Sequence, residues 1–225
     1  MLIGFPQLLD KVNEHIDRLD YAREPMNLYE PVKYILALGG KRIRPVMMLM
    51  AYNMYRDDVD KILDPALALE IYHNFTLLHD DLMDNADVRR GKPTVHKRWD
   101  ANTAILSGDV MLSLADVYMS RIDDAYFRQV MATFHQTSIE IAEGQQYDMD
   151  FETRTDVAEQ EYIEMIRLKT SVLLACALKI GAILGGASED DAAHLYRLGE
   201  CIGLAFQLRD DYLDVYGDPK VFGKK

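Results

Sequence analysis

The sequence has little cysteine, glycine or proline and a deficit of basic residues. Its two cysteines, Cys176 and Cys201, have the spacing of neither a zinc site nor a redox pair, so we expect neutral or buried thiols. With only 13 glycines and 7 prolines in 225 residues, long stretches without helix breakers favour helices. Lysine and arginine number 25 against 37 acidic residues, a net charge of −12. This balance excludes a general nucleic-acid-binding surface, which needs basic residues against the phosphates.

No targeting or membrane-spanning segment is predicted. The N-terminal residues lack both a basic region and a long apolar core, so we expect no signal peptide. The most apolar segment covers residues 170–187 and has Lys179 at its middle. A bilayer span needs about 20 mostly apolar residues, so we interpret this segment as a buried core helix. We therefore expect a cytoplasmic chain without a transmembrane segment.

The apolar periodicity predicts one helix after another and an all-α fold. Residues 85–94 are predicted to form a loop, and no alternation of apolar and polar residues requires a sheet. Asp64 and Pro65 have the order of an N-cap and a first-turn proline, and Gly39-Gly40 is a stop signal. Helices this long indicate a large antiparallel bundle with a deep interior, formed as a single domain over residues 1–225. The predicted helices are 7–20, 29–38, 45–56, 64–84, 101–122, 124–149, 157–186 and 189–216.

Two acidic clusters of the form Asp-Asp-x-x-Asp lie near the ends of two long predicted helices. In each cluster the first and last carboxylates are four residues apart and share a helix face. They repel each other, and the partial negative charge of a helix C-terminus adds to that repulsion, so a compensating cation is required. Either cluster alone is also explained as a solvated acidic turn, but both interrupt apolar helix faces. The clusters are Asp80, Asp81 and Asp84, and Asp210, Asp211 and Asp214.

The ligand types of these clusters favour a hard cation. Mg²⁺ typically takes one or two carboxylates, several waters and phosphate oxygens of a substrate, whereas zinc prefers nitrogen and sulfur. Basic residues follow the first cluster at 89–92 and the second at 224–225, and others follow the helix stop at 39–40 or lie within the apolar segment near residue 170. In a chain of charge −12 this combination suggests a shared polyanion. Any one basic pair alone is usually a solvated surface pair. The basic residues are Lys41, Arg42, Arg44, Arg89, Arg90, Lys92, Lys169, Lys224 and Lys225.

A set of short motifs runs in a fixed order from residue 39 to residue 225. They are Gly39-Gly40-Lys41-Arg42-Ile43-Arg44-Pro45, Leu78-His79-Asp80-Asp81-Leu82-Met83-Asp84, Arg89-Arg90-Gly91 with Pro93-Thr94-Val95-His96, Lys169-Thr170, Phe206-Gln207-Leu208-Arg209-Asp210-Asp211-Tyr212-Leu213-Asp214 with Gly217-Asp218, and Phe222-Gly223-Lys224. In this order and approximate spacing, they resemble the trans-type isoprenyl diphosphate synthases of the polyprenyl synthetase family. One Asp-Asp-x-x-Asp motif is weak, but the whole set is specific. Family members usually continue well beyond the last motif, in a part that would close the bundle, so this sequence is also compatible with an inactive fragment.

The resemblance implies a helix bundle of the isoprenoid synthase type and a prenyltransferase reaction. An allylic diphosphate would bind through up to three Mg²⁺ ions between the two acidic clusters and ionise to an allylic cation. Isopentenyl diphosphate would then attack that cation and lose a proton. The resemblance also implies a homodimer.

The resemblance further assigns roles to single residues. For the metal ions it implies main ligands at Asp80, Asp84 and Asp210, with Asp81, Asp211 and Asp214 in secondary or water-mediated roles. For isopentenyl diphosphate it implies Lys41, Arg44, His73 and Arg90. For the allylic diphosphate it implies Arg89, Lys169, Thr170, Gln207 and Lys224, with Lys169 also catalytic. Outside this resemblance, His73 alone would be read as a polar core histidine.

Product length is expected to depend on the residues before the first cluster. In the family, an aromatic residue five positions before the first aspartate, here Phe75, accompanies short products. A second aromatic residue at the fourth position, here the small Thr76, accompanies the shortest. Tyr72 lies eight positions before Asp80 and would line the same tunnel. A short-chain product is therefore expected, geranylgeranyl or farnesyl diphosphate, unless Phe75 serves only core packing.

Two other functions use similar residues. A class I terpene cyclase has a similar first aspartate cluster, but its second metal motif usually mixes Asn, Ser or Thr with acids, whereas this chain repeats Asp-Asp-x-x-Asp. A non-catalytic subunit that supports an active partner often loses aspartates or arginines, and none is lost here through residue 225.

Overall fold

The computed structural model describes residues 2–19 and 23–217. The chain divides into two compact units, one ending at Phe127 and the other beginning at Arg128, within a long helix. The helices of the described residues are α1 (Phe5–Asp17), α2 (Met26–Ala37), α3 (Ile43–Asn53), α4 (Leu63–Met83), α5 (Val95–Arg98), α6 (Ala101–Met119), α7 (Asp124–Phe151), α8 (Glu159–Ile166), α9 (Val172–Gly185) and α10 (Glu189–Tyr216). The predicted all-α fold is confirmed, while the single-domain assignment stays a prediction.

Helix α4 is the centre of the first unit and packs against α1, α2, α3 and α6. Both sides of its N-terminal half are apolar, so nearly every residue from Pro65 to Tyr72 is buried. On α6 the buried face includes the small residues Ala104, Gly108 and Ala115, which allow the two helices to approach closely. The buried half of α4 thus anchors its C-terminal end, which carries the first acidic cluster.

The start of α4 differs from the prediction. A 3₁₀ turn at Val59–Ile62 precedes the helix, and Ile62 occupies the N-cap position. Asp64 instead uses its carboxylate oxygens for tertiary contacts, at 2.7 Å from His15 and 3.1 Å from Arg121. The predicted cap at Asp64 is therefore wrong, because these tertiary contacts use the side chain.

The predicted loop 85–94 contains a small hairpin. The strands β1 (Val88–Arg89) and β2 (Lys92–Pro93) pair antiparallel, with Val88 opposite Pro93. The two residues between them, Arg90 and Gly91, have φ values of 52° and 73°. Positive φ at both central positions is typical of the tight turn that suits the twist of a hairpin.

Helix α9 is the buried core helix of the second unit. All of its residues except Lys179 are buried, which confirms the prediction made for this apolar segment. Among the described residues, the stretch Glu159–Gly185 is long and apolar enough to cross a membrane by length and composition alone, and 83% of its most apolar window is buried. Such burial is typical of a core helix.

The predicted helix 157–186 is interrupted by one wider turn. Residues Arg167–Ser171 form a π-helical turn between α8 and α9. Single π turns inside helices often occur at functional sites. This turn contains Lys169 and Thr170.

The two thiols differ in environment. Cys176 is buried and its desolvation raises its pKa to about 12, whereas Cys201 is exposed on α10. Both are free thiols, and the expected burial is confirmed for Cys176 only.

Candidate active site

The first acidic cluster lies at the C-terminal end of α4. Asp81 is buried, Asp80 is partly exposed, and Asp84 is the exposed C-cap residue. Arg89 of the hairpin reaches back to this end: its Nε lies 2.7 Å from Asp81 Oδ2 and its Nη2 lies 3.8 Å from Asp80 Oδ2. A guanidinium here offsets the repulsion among carboxylates at a helix C-terminus. Arg89 thus supplies part of the positive charge that the acidic cluster was expected to need.

Arg90 is held at the end of α2 by the hairpin turn. Its Nη1 donates a hydrogen bond to the carbonyl oxygen of Gly39. Gly40 has φ +144°, and a Cβ there would lie 2.9 Å from Arg90 Nη2. The two glycines thus provide both the left-handed backbone and the space that this arginine needs. Arg90 and Lys41 therefore lie close along one stretch of surface in the first unit, Lys41 being exposed.

His73 lies among the arginines of this unit. Desolvation of its ring lowers its pKa well below 6.5, and the positive charges of Arg44, Arg90 and, to a smaller extent, Arg89 lower it further. The imidazole is therefore neutral at pH 7 and offers one donor and one acceptor. Burial also lowers the pKa of Arg44, although the negative charge of Glu70 opposes that shift. The structure thus brings together His73, Arg44 and Arg90, three of the four residues predicted for one diphosphate.

An aromatic column of Tyr72, Phe75 and His79 runs along α4 up to the acidic cluster. The rings of Tyr72 and Phe75 meet edge to face at 5.5 Å between centroids, and those of Phe75 and His79 at 4.9 Å. His79 Nε2 also lies 3.2 Å from the carbonyl oxygen of Ile105. A Cβ on Gly108 of α6 would lie 2.1 Å from His79 Nε2, so the ring occupies the space that a side chain at this position would take. Thr76 Oγ1 donates to its own helix, to the carbonyl oxygen of His73 at 2.8 Å.

The second acidic cluster lies on the last turns of α10. Asp211 accepts a hydrogen bond from the Tyr162 hydroxyl and another, at 2.9 Å, from Gln207 Nε2. Burial and this bond to Asp211 raise the pKa of Tyr162 to about 12. Asp210 is partly exposed and Asp214 is exposed. The middle carboxylate of each cluster is thus bound by a neighbouring side chain, Asp81 by Arg89 and Asp211 by Tyr162.

The π-helical turn presents Lys169 and Thr170 to two different helices. Lys169 Nζ lies 2.6 Å from Asp148 Oδ2 of α7, and Thr170 Oγ1 donates to Gln207 Oε1 of α10 at 3.1 Å. Glycines allow both approaches: a Cβ on Gly144 would lie 2.3 Å from the Lys169 nitrogen, and one on Gly203 would lie 2.5 Å from Ser171 Cα. The partners in these two polar contacts, Asp148 and Gln207, thus each lie one helical turn after one of the two glycines.

The donor chemistry of the two clusters fits Mg²⁺. All six candidate ligands are carboxylates, and Asp80 and Asp84 share one face of α4. Within the residues that the structure describes, no three His, Cys, Asp or Glu side chains converge on one point. Mg²⁺ does not require such a cage, since substrate phosphates and waters usually complete its shell.

One candidate residue lies outside the described residues, and some residues of the site were not predicted from the sequence. Lys224 and the motif around it fall beyond residue 217, where nothing is described. Asp148, Gly108 and Glu70 were not identified from the sequence. Gly108 and Gly144, isolated glycines inside predicted helices, were the available signal for two close packing contacts.

Comparisons with known proteins agree with these motifs. The sequence model of the Polyprenyl synthetase family matches residues 25–225. The geranylgeranyl diphosphate synthase of Methanosarcina mazei is 45% identical over 215 residues, which cover 95% of this chain and 66% of that protein. A short chain isoprenyl diphosphate synthase of Methanocaldococcus jannaschii is 41% identical over 218 residues, which cover 96% of this chain and 66% of that protein. This chain therefore spans just under two thirds of the length of these curated relatives.

A solved structure is similar over nearly the whole chain. The crystal structure of a geranylgeranyl pyrophosphate synthase superimposes with a TM-score of 0.94 at 50% sequence identity and covers 99% of this chain and 68% of that one. Sequence motifs, the family match and the fold therefore agree: the chain belongs to the polyprenyl synthetase family.

Proposed function

We propose that this chain is a Mg²⁺-dependent short-chain trans-prenyltransferase, which condenses an allylic diphosphate with isopentenyl diphosphate and releases diphosphate. The observation that carries the proposal is the arrangement along α4. His73 lies among arginines, and the carboxylate of Asp80 lies seven residues, about 10 Å, further along the helix. This arrangement suits one diphosphate held directly by basic side chains and a second held through metal ions.

The basic group around His73 is assigned to isopentenyl diphosphate. Lys41, Arg44 and Arg90 supply positive charge, and Arg guanidinium groups match phosphate oxygens through paired hydrogen bonds. Neutral His73 can add a hydrogen bond without adding a charge. Because this substrate keeps its diphosphate during the reaction, direct binding without a metal ion suits it.

The acidic clusters are assigned to the allylic diphosphate. Asp80, Asp84 and Asp210 would hold the Mg²⁺ ions, with Asp81, Asp211 and Asp214 in support. When bound, Mg²⁺ would neutralise the negative charge that develops on the leaving diphosphate. Lys169 and Arg89 would add positive charge for the same leaving group, and Thr170 and Gln207 would add hydrogen bonds. Lys224 belongs to this assignment from its motif alone.

The bond changes of the reaction follow from these assignments. The bond between C1 and oxygen of the allylic substrate breaks, and the electron pair leaves with diphosphate. The double bond of isopentenyl diphosphate supplies the electrons of the new carbon–carbon bond. The carbocation formed by this attack then loses a proton to the released diphosphate, which restores a double bond in the product. The apolar side chains of Tyr72 and Phe75 would keep water from capturing the cation.

A short product is part of the proposal, with geranylgeranyl diphosphate favoured over farnesyl diphosphate. The aromatic column of Tyr72 and Phe75 supports a tunnel that ends early. The names of the relatives and of the similar crystal structure, geranylgeranyl and short chain synthases, support the same product class.

A homodimer is also proposed. Helix α6 buries one face within the first unit but leaves Ile105, Leu106 and Val117 about half exposed. Exposed apolar side chains on one helix are typical of an interface with a further protein surface. Light scattering after size-exclusion chromatography should give twice the mass of 25.8 kDa, and a Leu106→Lys variant should shift the mass toward the monomer. The cytoplasmic location stays a prediction.

Incubation of the purified chain with Mg²⁺, isopentenyl diphosphate and an allylic diphosphate tests the proposed activity. Chromatography of the dephosphorylated products should show an elongated prenyl alcohol, and chelation of Mg²⁺ should abolish it. A hydrocarbon formed from the allylic substrate alone would indicate a terpene cyclase. No turnover by the chain alone, with turnover after addition of a longer family member, would indicate a supporting subunit.

A further inference from the structure

Arg42 is a basic residue of the segment 40–45 whose side chain points into the interior of the first unit. Its side chain is only 3% exposed, although it lies between the exposed Lys41 and the partly exposed Ile43. Its backbone has φ +48°, the left-handed conformation, at the N-cap of α3. This conformation is uncommon for a non-glycine residue and turns the side chain of Arg42 away from its neighbours.

The guanidinium of Arg42 joins three helices. Its Nη1 lies 2.5 Å from Glu70 Oε1 of α4, and its Nη2 donates to the carbonyl oxygen of Leu36 near the end of α2 at 2.7 Å. Arg42 itself begins α3. One side chain thus connects the end of α2, the start of α3 and the middle of α4.

Glu70 is fixed from the other side. It is 2% exposed, and Asn74, which is fully buried, donates through Nδ2 to Glu70 Oε1 at 3.0 Å and to the Glu70 carbonyl oxygen at 2.8 Å. The same carboxylate oxygen therefore accepts from Arg42 and from Asn74. Two directed donors leave the carboxylate little freedom to rotate.

Stability alone does not account for this pair. The cost of removing two charges from water usually offsets their attraction, and apolar residues of similar volume often serve a core as well or better. A buried pair with a rigid guanidinium does, however, restrict two chain segments to one relative position.

The residues on either side of the pair are those assigned to isopentenyl diphosphate. Lys41 and Arg44 flank Arg42 in the segment that leads into α3, and His73 lies one helical turn after Glu70. The Glu70 charge also acts on the basic group. Burial lowers the pKa values of Arg44 and Arg90, and the negative charge of Glu70 opposes that shift at both residues. Glu70 is thus a shared counter-charge for arginines that would otherwise repel each other.

We propose that Arg42 and Glu70 are positioning residues for isopentenyl diphosphate, whose buried ion pair fixes the segment 40–45 against α4. In this arrangement Lys41, Arg44 and His73 meet one diphosphate without reorganisation. The inference rests on the proposed function, because it assumes that this basic group binds that substrate. Preorganised groups bind more tightly because less freedom is lost on binding.

The main test is Glu70→Gln, which keeps the size of the side chain and removes its charge. Titration calorimetry with isopentenyl diphosphate should show binding weakened by at least about tenfold. The KM for the allylic diphosphate should change by less than about twofold, because the charge lost lies beside the other substrate. Ile71→Val is the matched control: it loosens the adjacent, fully buried position on α4 and should leave both values within about twofold of the parent.

A second variant separates positioning from stability. Arg42→Met combined with Glu70→Leu replaces the ion pair by an apolar pair and should restore the melting temperature toward that of the parent. If the pair positions the segment, binding of isopentenyl diphosphate stays at least about fivefold weakened despite the restored melting temperature. Parental binding in this double variant would show a merely structural role and overturn the inference.

The outcomes distinguish this inference from the proposed function. A parent chain that binds isopentenyl diphosphate and forms product, together with a Glu70→Gln variant that binds equally well, overturns the inference alone. A parent chain that binds isopentenyl diphosphate but forms no product contradicts the proposed reaction, while weakened binding by the variant still supports the inference. A parent chain that neither binds this substrate nor forms product overturns both.

Discussion

The ammonium nitrogen of Lys169 lies 2.6 Å from a carboxylate oxygen of Asp148, and this contact joins α7 to the π-helical turn. The approach depends on Gly144, one helical turn earlier on α7, where any Cβ would lie 2.3 Å from the Lys169 backbone nitrogen. Both side chains of the ion pair are about one third exposed, so its direct contribution to stability is small. Its value is positional, because it sets where the ammonium group of Lys169 lies.

Gly144→Ala should therefore destabilise the protein and displace Lys169. The added Cβ meets backbone rather than a flexible side chain, and such overpacking costs about 1–3 kcal/mol. Because the contact is with backbone, we expect the upper end of that range. Alanine returns about 1 kcal/mol of helix propensity, so a net loss of about 2 kcal/mol is expected in urea unfolding. The KM for the allylic diphosphate should rise as well. Glu143→Ala, at the exposed neighbouring position, should change the free energy of unfolding by less than about 0.5 kcal/mol. An unchanged urea midpoint for Gly144→Ala would contradict the close approach.

Asp80→Asn and Asp210→Asn should each reduce turnover by several orders of magnitude at an unchanged melting temperature. Each substitution keeps the shape of the side chain but removes a charge that would anchor Mg²⁺ at the leaving group. Turnover at saturating Mg²⁺ and thermal unfolding are the two measurements, and Asp190→Asn at the exposed start of α10 is the control. Near-parental turnover in a stable variant would refute the metal assignment.

Lys41→Ala and Arg89→Ala should separate the two substrate sites. Loss of a charged partner from a diphosphate typically costs about 1.5–3 kcal/mol, or roughly ten- to a hundredfold in binding. We expect Lys41→Ala to raise the KM for isopentenyl diphosphate more, and Arg89→Ala to raise that for the allylic substrate more. Arg89→Ala should also lower the free energy of unfolding by about 1–3 kcal/mol, because it leaves the buried Asp81 carboxylate unpaired. Equal shifts of both KM values in both variants would disprove the division.

His73 should make folding stability depend on pH below 6.5. Its folded-state pKa is depressed, so as the pH falls below 6.5 the unfolded state binds a proton that the folded state does not. The stability present above pH 6.5 is therefore lost on acidification, at up to about 1.4 kcal/mol per pH unit, until the folded-state pKa is reached. The free energy of unfolding, measured in urea at pH 7.0 and at about pH 5.5, should show this loss. His73→Gln should reduce it, while His194→Gln, exposed on α10, should not.

The sequence predicts the helices well because their apolar periodicity is long and seldom broken. It does not predict the hairpin at residues 88–93, because two-residue strands are too short to show a period, although Gly91 signals a turn. The wrong cap at Asp64 has a similar cause. A capping side chain and one in a tertiary ion pair have the same local sequence, and only the packed neighbours His15 and Arg121 decide between them.

The candidate site, too, could be predicted from the sequence only in part. Motifs identify the residues that would touch a substrate, but the residues that hold those in place, such as Glu70 and Asp148, depend on partners distant in sequence. Glu70 does carry a local signal, since it interrupts the apolar run 66–72. That signal indicates a buried charge but cannot identify Arg42, 28 residues earlier, as its partner. The left-handed backbone that turns Arg42 inward is likewise invisible in a run of basic residues.

Product length should respond to single substitutions on the aromatic column of α4. In the proposed function, the growing prenyl chain would extend away from the acidic cluster, toward the N-terminus of α4. At about 1.5 Å per residue, Phe75 and Tyr72 lie about 7.5 and 12 Å from Asp80 along the helix. The first distance is similar to the length of one prenyl unit, so the Phe75 ring should block growth early. Contact with Tyr72 and His79 on either side holds that ring in place.

Phe75→Ala should therefore lengthen the products by at least one five-carbon unit, and Thr76→Phe should shorten them. The first variant removes a ring that closes the tunnel, and the second adds one a residue nearer to Asp80. Chromatography of the dephosphorylated products measures both. If Phe75 only packs the core, Phe75→Ala should lower the free energy of unfolding, by up to about 3–5 kcal/mol for a fully buried ring, and leave the product distribution unchanged. If the parent protein, which keeps the Phe75 ring, formed products well beyond geranylgeranyl diphosphate, the proposal that this ring blocks growth would also be refuted.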